Sequence, residues 1–320
     1  MTSFRRFAIL LTLPLGAFAA DSSLLQMVMP DAQVVAGLQV DQAKSSPFGQ
    51  YVLSHLSVND TKLEQFTAET GFDPSHDVSE IVIGSNWKPN TPDNRWIVAA
   101  HGTFNIPKIS TTAQANGGLI SQYQGVTVVT FMASGKNQLE TGIAFLDGAT
   151  ALVGDINSVK AGIDQKKSGA LSNASWLAKA QAASAGQDFW FVTLVSLSNF
   201  SSSVADSNAG NAIGNLFAAI NQASGGIRFG DTVTITTEAV TRSDKDAQAL
   251  VDVVKFFASL VQLNSQNNPT AGQVATLLNT LQASTSGNIT NISLAIPEQA
   301  LEQLINSAHP ARARAAARIN

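Results

Sequence analysis

Glu69, Asp73, His76 and Asp77 bring three carboxylates and one imidazole into a single short stretch. Oxygen and nitrogen ligands packed this closely could hold a divalent cation. The same stretch, Glu69-Thr-Gly-Phe-Asp-Pro-Ser-His-Asp77, also has the order of a helix exit followed by a turn into a strand. Asp73, restrained by Pro74, would then cap its own loop. The cap is the expectation, and the metal site is the alternative. No other metal grouping is visible, because the remaining histidines, His55, His101 and His309, are too scattered to form paired helical ligands.

His101 closes an apolar strand and precedes Gly102. A histidine there could serve as a general base, but catalysis also needs a nucleophile and an orienting carboxylate, and its sequence neighbours nominate neither. The chain has no Gly-x-Ser-x-Gly elbow, no phosphate-cradling glycine loop followed by Lys and Ser or Thr, and no Gly-x-Gly-x-x-Gly. No catalytic residue and no cofactor is therefore expected. Any hydrolase site would have to be assembled from distant segments. Trp87 lies beside Lys88 and Pro89 in a polar loop, where it could stack on a sugar or peptide ligand. Trp96, Phe131, Phe145, Trp190, Phe191, Phe256 and Phe257 sit in apolar runs and are expected to fill the core.

The elements that would position these groups alternate along the chain. Strands are expected over 31–40, 78–84 and 95–103, and helices over 45–56 and from residue 60 to Gly71. The first of these helices opens with Ser45, Ser46 and Pro47, suited to capping and to the first turn. Asp147-Gly148 and Gly230-Asp231 sit between apolar runs and predict tight hairpins with positive φ in the turn. On that basis Gly148→Val should cost on the order of 1–2 kcal/mol. In the second hairpin Val233 and Ile235 alternate with Thr232, Thr234 and Thr236, so one sheet face should be wet. Over 247–262 the apolar stripe Leu250, Val253, Val254, Phe257 and Val261 opposes Gln248, Asp252, Lys255, Ser259 and Gln262. Residues 298–305 repeat that amphipathic scheme.

An internal duplication is suggested by Asn94-Arg-Trp-Ile-Val98 and Asp188-Phe-Trp-Phe-Val192, each followed by an expected helix and then a double glycine. The predicted fold is α+β: two related halves, 22–168 and 176–308, each an antiparallel sheet with amphipathic helices mainly on one face. The halves would join near 169–175.

Residues 1–19 read as a cleavable signal peptide, with Arg5 and Arg6, an apolar run over 7–15, and Ala17-Phe18-Ala19 as the cleavage box. The alternative, a membrane anchor, is opposed by Thr12 and Pro14 and by a run shorter than the ~20 residues of a spanning helix. No later segment is apolar enough to cross a bilayer, so an integral membrane protein is not expected. Loss of Arg5 and Arg6 with the leader takes the formal charge from −4 to −6. That sign disfavours nucleic acid as partner, since phosphates reward a basic surface. The absence of cysteine excludes disulfides, thiolate metal sites and a cysteine nucleophile. The tail 309–320 carries Arg312, Arg314 and Arg318 among alanines and is expected to be solvated.

The stretches 31–38 (Asp-Ala-Gln-Val-Val-Ala-Gly-Leu), 46–50 (Ser-Pro-Phe-Gly-Gln), 71–74 (Gly-Phe-Asp-Pro) and 145–148 (Phe-Leu-Asp-Gly) resemble a group of uncharacterised secreted proteins of soil bacteria, the acidobacteria in particular. The resemblance implies an exported protein of the periplasm or the medium and carries over no functional residue. With no catalytic motif, the expected function is a non-enzymatic binding or structural role in the cell envelope, with an envelope component or small ligand as partner. A hydrolase with a dispersed site and a carrier of an apolar ligand are the alternatives. A deep pocket holding His76 or His101 beside a carboxylate and a hydroxyl would favour the hydrolase, a shallow polar surface the binder, and an apolar cavity of at least ~300 Å³ the carrier.

Overall fold

The computed structural model describes residues 19–57, 67–87, 94–132, 140–169, 174–197, 218–264 and 269–308. Apart from exposed Ala19, the leader falls outside them, as do the 309–320 tail and most of the Lys88 and Pro89 loop. Twelve strands of the described residues form one antiparallel sheet. They are β1 Val34–Gln39, β2 Val78–Ser85, β3 Trp96–Gly102, β4 Leu119–Tyr123, β5 Val126–Phe131, β6 Thr141–Phe145, β7 Thr150–Asp155, β8 Phe189–Thr193, β9 Ile220–Arg228, β10 Thr232–Thr241, β11 Gln282–Ser286 and β12 Ile289–Pro297. Their order is β11-β12-β10-β9-β8-β1-β2-β3-β7-β6-β5-β4. The segments expected to carry separate sheets therefore share one, joined where β1 pairs with β8 (Gly37 opposite Trp190, Val35 opposite Val192).

The fold is mixed helix and antiparallel sheet, and the helices occupy both faces. On the first face, α1 (Ser22–Met27) lies over β2 and β3. The helices after β7 and before β8, α6 (Ile156–Ser168) and α7 (Leu177–Ser184), complete this layer. Leu24, Leu25 and Met27 of α1, with Val159 and Ile163 of α6, interlock with Val35, Val82, Ala99, Leu152 and Trp190 of the sheet. On the second face, α5 (Ile106–Ala115) packs Ile109 against Phe145 and Ala151, while α8 (Asp244–Asn264) sets Leu250 against Ala223 and Ala239. The expectation of helices mainly on one face fails because sheet residues on both faces are apolar. Cross-strand neighbours such as Phe145 and Ala151 on one side and Leu152 and Ala144 on the other each need a cover.

Local chemistry explains most element ends. The short α2 (Val40–Ser45) ends before Pro47, which opens α3 (Pro47–Ser57), and Ser46 Oγ accepts from the Gly49 amide at 2.9 Å, as the sequence predicts. The helical residues from 67 stop at Gly71, whose φ is +70°. Asp155 caps α6 through Ser158 N, and Gly169 at φ +65° ends it, placing a turn at the expected junction of the halves.

The hairpins are where the sequence puts them, but not all their turns are. β6 and β7 pair, yet Gly148 is absent from the positive-φ residues and a Cβ there would meet open space. The loop is held instead by Asp147 Oδ1 accepting from Ala149 N at 2.8 Å. The two-residue turn with positive φ at both positions is Gln124-Gly125, at 53° and 78°, between β4 and β5. In the Gly230-Asp231 loop only Gly230 has positive φ.

The Trp96 and Trp190 segments occupy unlike places. Trp96 starts β3 and is 37% exposed, whereas Trp190 is fully buried in the central strand β8, against Gly37. Gly117-Gly118 precede the edge strand β4, but Gly225-Gly226 lie inside β9. Phe256 also departs from expectation, at 57% exposed beside Phe257 on α8, whose buried residues are Ala247 and Val251. Its predicted polar stripe is exposed throughout. No helix of the described residues is long and apolar enough to cross a membrane.

Candidate functional site

The acidic stretch folds as a cap. Asp73 precedes α4 (Pro74–Asp77), and its carboxylate accepts from the Ser75 amide and hydroxyl and lies 2.7 Å from His76 Nδ1. The Ser75 hydroxyl and His76 hold that carboxyl below its ordinary range, against the opposing effect of burial. Asp77 turns back to accept from Asp73 N, and Glu69 accepts from Asn116 Nδ2. Among the described residues no group of three or more His, Cys, Asp or Glu is arranged to hold a metal. Trp87 is half-buried, with its amide donating to Ser85 Oγ. The side chains of His55 and His309 lie outside the described residues.

His101 is the histidine that acquires partners from afar. On β3 it stands opposite Glu80 of β2 and Thr150 of β7. Its Nδ1 is 3.3 Å from the Ala149 carbonyl oxygen, an acceptor. Ser23 Oγ lies 3.1 Å from Nε2 and Asp21 Oδ2 lies 3.3 Å from the same nitrogen. A hydrolytic triad puts the hydroxyl on one ring nitrogen and the carboxylate on the other. Here both converge on one, so Asp21 competes with Ser23 instead of orienting the ring.

The group borders an open cavity of about 640 Å³, where Asp21, Asp41 and Glu80 face Gln39, Ser45 and His101. Burial would raise the Asp21 carboxyl, but hydrogen bonds from the Ser23 amide and hydroxyl, with the His101 charge, leave it below its ordinary value. Burial wins at Glu80, which lies above its ordinary value although the Asp21 amide and Gln39 bond to it. No local motif could reveal this cluster, since the sheet register and the return of α1 bring its members together.

A second cavity, of about 410 Å³, lies on the first face beyond α7. Residues directly opposite on antiparallel strands point to the same face. Register therefore builds two polar rows across β10, β12 and β11: Thr236, Ser293 and Gln282 in one, and Glu238, Asn291 and Ser284 in the other. Lys179, Ala182 and Ala183 of α7 form the wall, and Gln187 Nε2 donates to Thr236 Oγ1 at 3.4 Å. Alternation in 232–236 foretold the wet face. The groove stayed hidden because it depends on β12 inserting between β10 and β11. Both cavities are lined mainly by polar side chains, unlike the apolar cavity a carrier needs.

No family model and no curated protein matches the sequence. Among solved structures, the crystal form I structure of TP0453 is similar over 91% of this chain and 99% of that chain, with a TM-score of 0.49 and 10% sequence identity.

Proposed function

We propose that this chain is an exported, non-enzymatic binding protein of the cell envelope, and that the polar groove on β10, β12 and β11 is its ligand surface. The observation that carries the proposal is the pair of polar rows, walled by α7, that no described element covers. Side chains fixed on strands make a pre-organised hydrogen-bonding surface, which lowers the entropy lost on binding. Its partner is an envelope component or small ligand, with no role for nucleic acid. Native mass spectrometry of protein taken from its own envelope tests this. A ligand retained by the wild type and lost by Thr236→Val/Ser293→Val is the expected result, and equal retention would remove the groove from the function.

Export rests on the leader, and N-terminal sequencing of the secreted protein should begin at Ala20. A buried contact in which the Ala20 backbone N–H donates to Ser184 Oγ, next to exposed Ala19, supports cleavage between the two. The duplication is better sought by matching β1, β2, β3, β7 with β8, β9, β10, β12 than by matching the two tryptophans. Each set runs outward from the β1 and β8 junction in the same order.

A second reading, a hydrolase with a dispersed site, draws on the 3.1 Å approach of Ser23 Oγ to His101 Nε2. Labelling by a serine-directed fluorophosphonate that disappears in Ser23→Ala would favour it.

A further inference from the structure

We infer that the ligand of the polar groove is an extended neutral glycan lying across β10, β12 and β11, an inference that rests on the groove being the ligand surface. Strand spacing provides the first argument. Neighbouring strands are about 4.8 Å apart, whereas side chains on one face of a strand recur about every 6.8 Å. A β-1,4-linked pyranoside chain advances by nearly the strand spacing per sugar, each sugar turned over relative to the last but carrying hydroxyls on both edges, so successive sugars meet Thr236, Ser293 and Gln282 in turn. An extended peptide crossing the strands brings side chains to one face only every ~6.8 Å and falls out of step with that spacing.

Hydrogen-bonding capacity supports the same ligand. Hydroxyls and carboxamides both donate and accept, as sugar hydroxyls do, and five of the six side chains in the two rows are of these kinds. Glu238 adds an acceptor for vicinal hydroxyls. Lys179 and Glu238 give the described lining one charge of each sign and no net charge, which favours a neutral ligand over a polyanion. Beside Thr236, the Oε1 atom of Gln187 is buried without a hydrogen-bond partner among the described residues. A hydroxyl entering between α7 and the sheet supplies the missing donor.

Among the described residues the groove has no aromatic platform, so each sugar binds weakly and affinity must accumulate along the chain. The full chain is to be titrated calorimetrically with cello-oligosaccharides and N-acetylglucosamine oligomers of increasing length. Affinity should rise until about three sugars span the three strands and then level off. Loss of two hydrogen bonds in Thr236→Val/Ser293→Val should weaken binding about tenfold or more. Gln282→Ala/Asn291→Ala repeats the test at independent positions, with circular dichroism confirming the fold. Absence of binding by any neutral oligosaccharide to folded protein overturns the inference. If native mass spectrometry then shows a peptide or other ligand that Thr236→Val/Ser293→Val loses, the groove stands as the ligand surface and only the glycan fails. If the double variant loses nothing, both fail.

Discussion

One face of one sheet is dry at one end and wet at the other. Across β3, β7, β6 and β5 the first face presents Ala99, Leu152, Ala144 and Val128, all buried beneath α1 and α6. Across β10, β12 and β11 the same face presents Thr236, Ser293 and Gln282. The difference follows the helices. After β7 the chain lays α6 back over β6 and β7. After β12 it runs into α10 (Glu298–Ala308), which packs against α9 (Pro269–Leu277), itself in contact with α8 of the second face. An uncovered sheet face must satisfy water, and the polar residues there do so. On the proposed reading that end meets the ligand, while the covered end stabilises the fold.

Matched substitutions at the two ends give the largest contrast. Leu152→Ala should cost about 3 kcal/mol through lost burial and the cavity left behind. Ser293→Ala, at the wet end, should change stability by no more than about 0.5 kcal/mol. Equal shifts in chemical denaturation would break the comparison. At the centre, a Cβ on Gly37 would collide with the fully buried indole of Trp190. Gly37→Ala should therefore cost about 2 kcal/mol, read as a lowered denaturation midpoint with an unchanged slope.

The polar margin of the dry end should show in the pH dependence. Because burial raises the Glu80 carboxyl, the native state binds its proton more tightly than the unfolded chain does. The stability this proton linkage contributes is present below the ordinary glutamate range and lost as pH rises through the raised value. Glu80→Gln should flatten that stretch of the stability profile in denaturation measured across acidic pH. A slope unchanged in the variant would assign the linkage elsewhere. The smallest effect is expected at Gly148→Val. With no positive φ and open space around it, the substitution should shift stability by no more than about 0.5 kcal/mol in the same denaturation assay.

That last value replaces the 1–2 kcal/mol expected from sequence, and the reason is instructive. Asp-Gly favours a primed turn, but Asp147 uses its side chain to close a longer loop, while the less suggestive Gln124-Gly125 takes the primed conformation. Signals carried by neighbouring residues were legible: the Ser46 cap, the stop at Gly71, the alternation of 232–236 and the polar stripe of α8. Signals that depend on distant pairing were not. Little in sequence distinguishes exposed Trp96 from buried Trp190, since each lies at the start of an apolar strand and its place in the sheet decides its burial. The His101 cluster and the groove escaped for the same reason. Asp21 and Glu80 reach His101 through α1 and the register of β2, and the groove needs a strand order that connectivity alone does not dictate.

The central place of β1 has a kinetic consequence. Its partner on one side is β2, but on the other it waits for β8, with Val34 opposite Thr193. A chain made or exported from its N-terminus holds β1 as an open edge until more than half its length has emerged, and contacts so distant in sequence form slowly. Trp190, on the late strand, closes over Gly37 on the early one. Indole fluorescence from Trp190 should therefore report the closing of β8 on β1, and a chain truncated before β8 should remain prone to pairing with its neighbours through that edge.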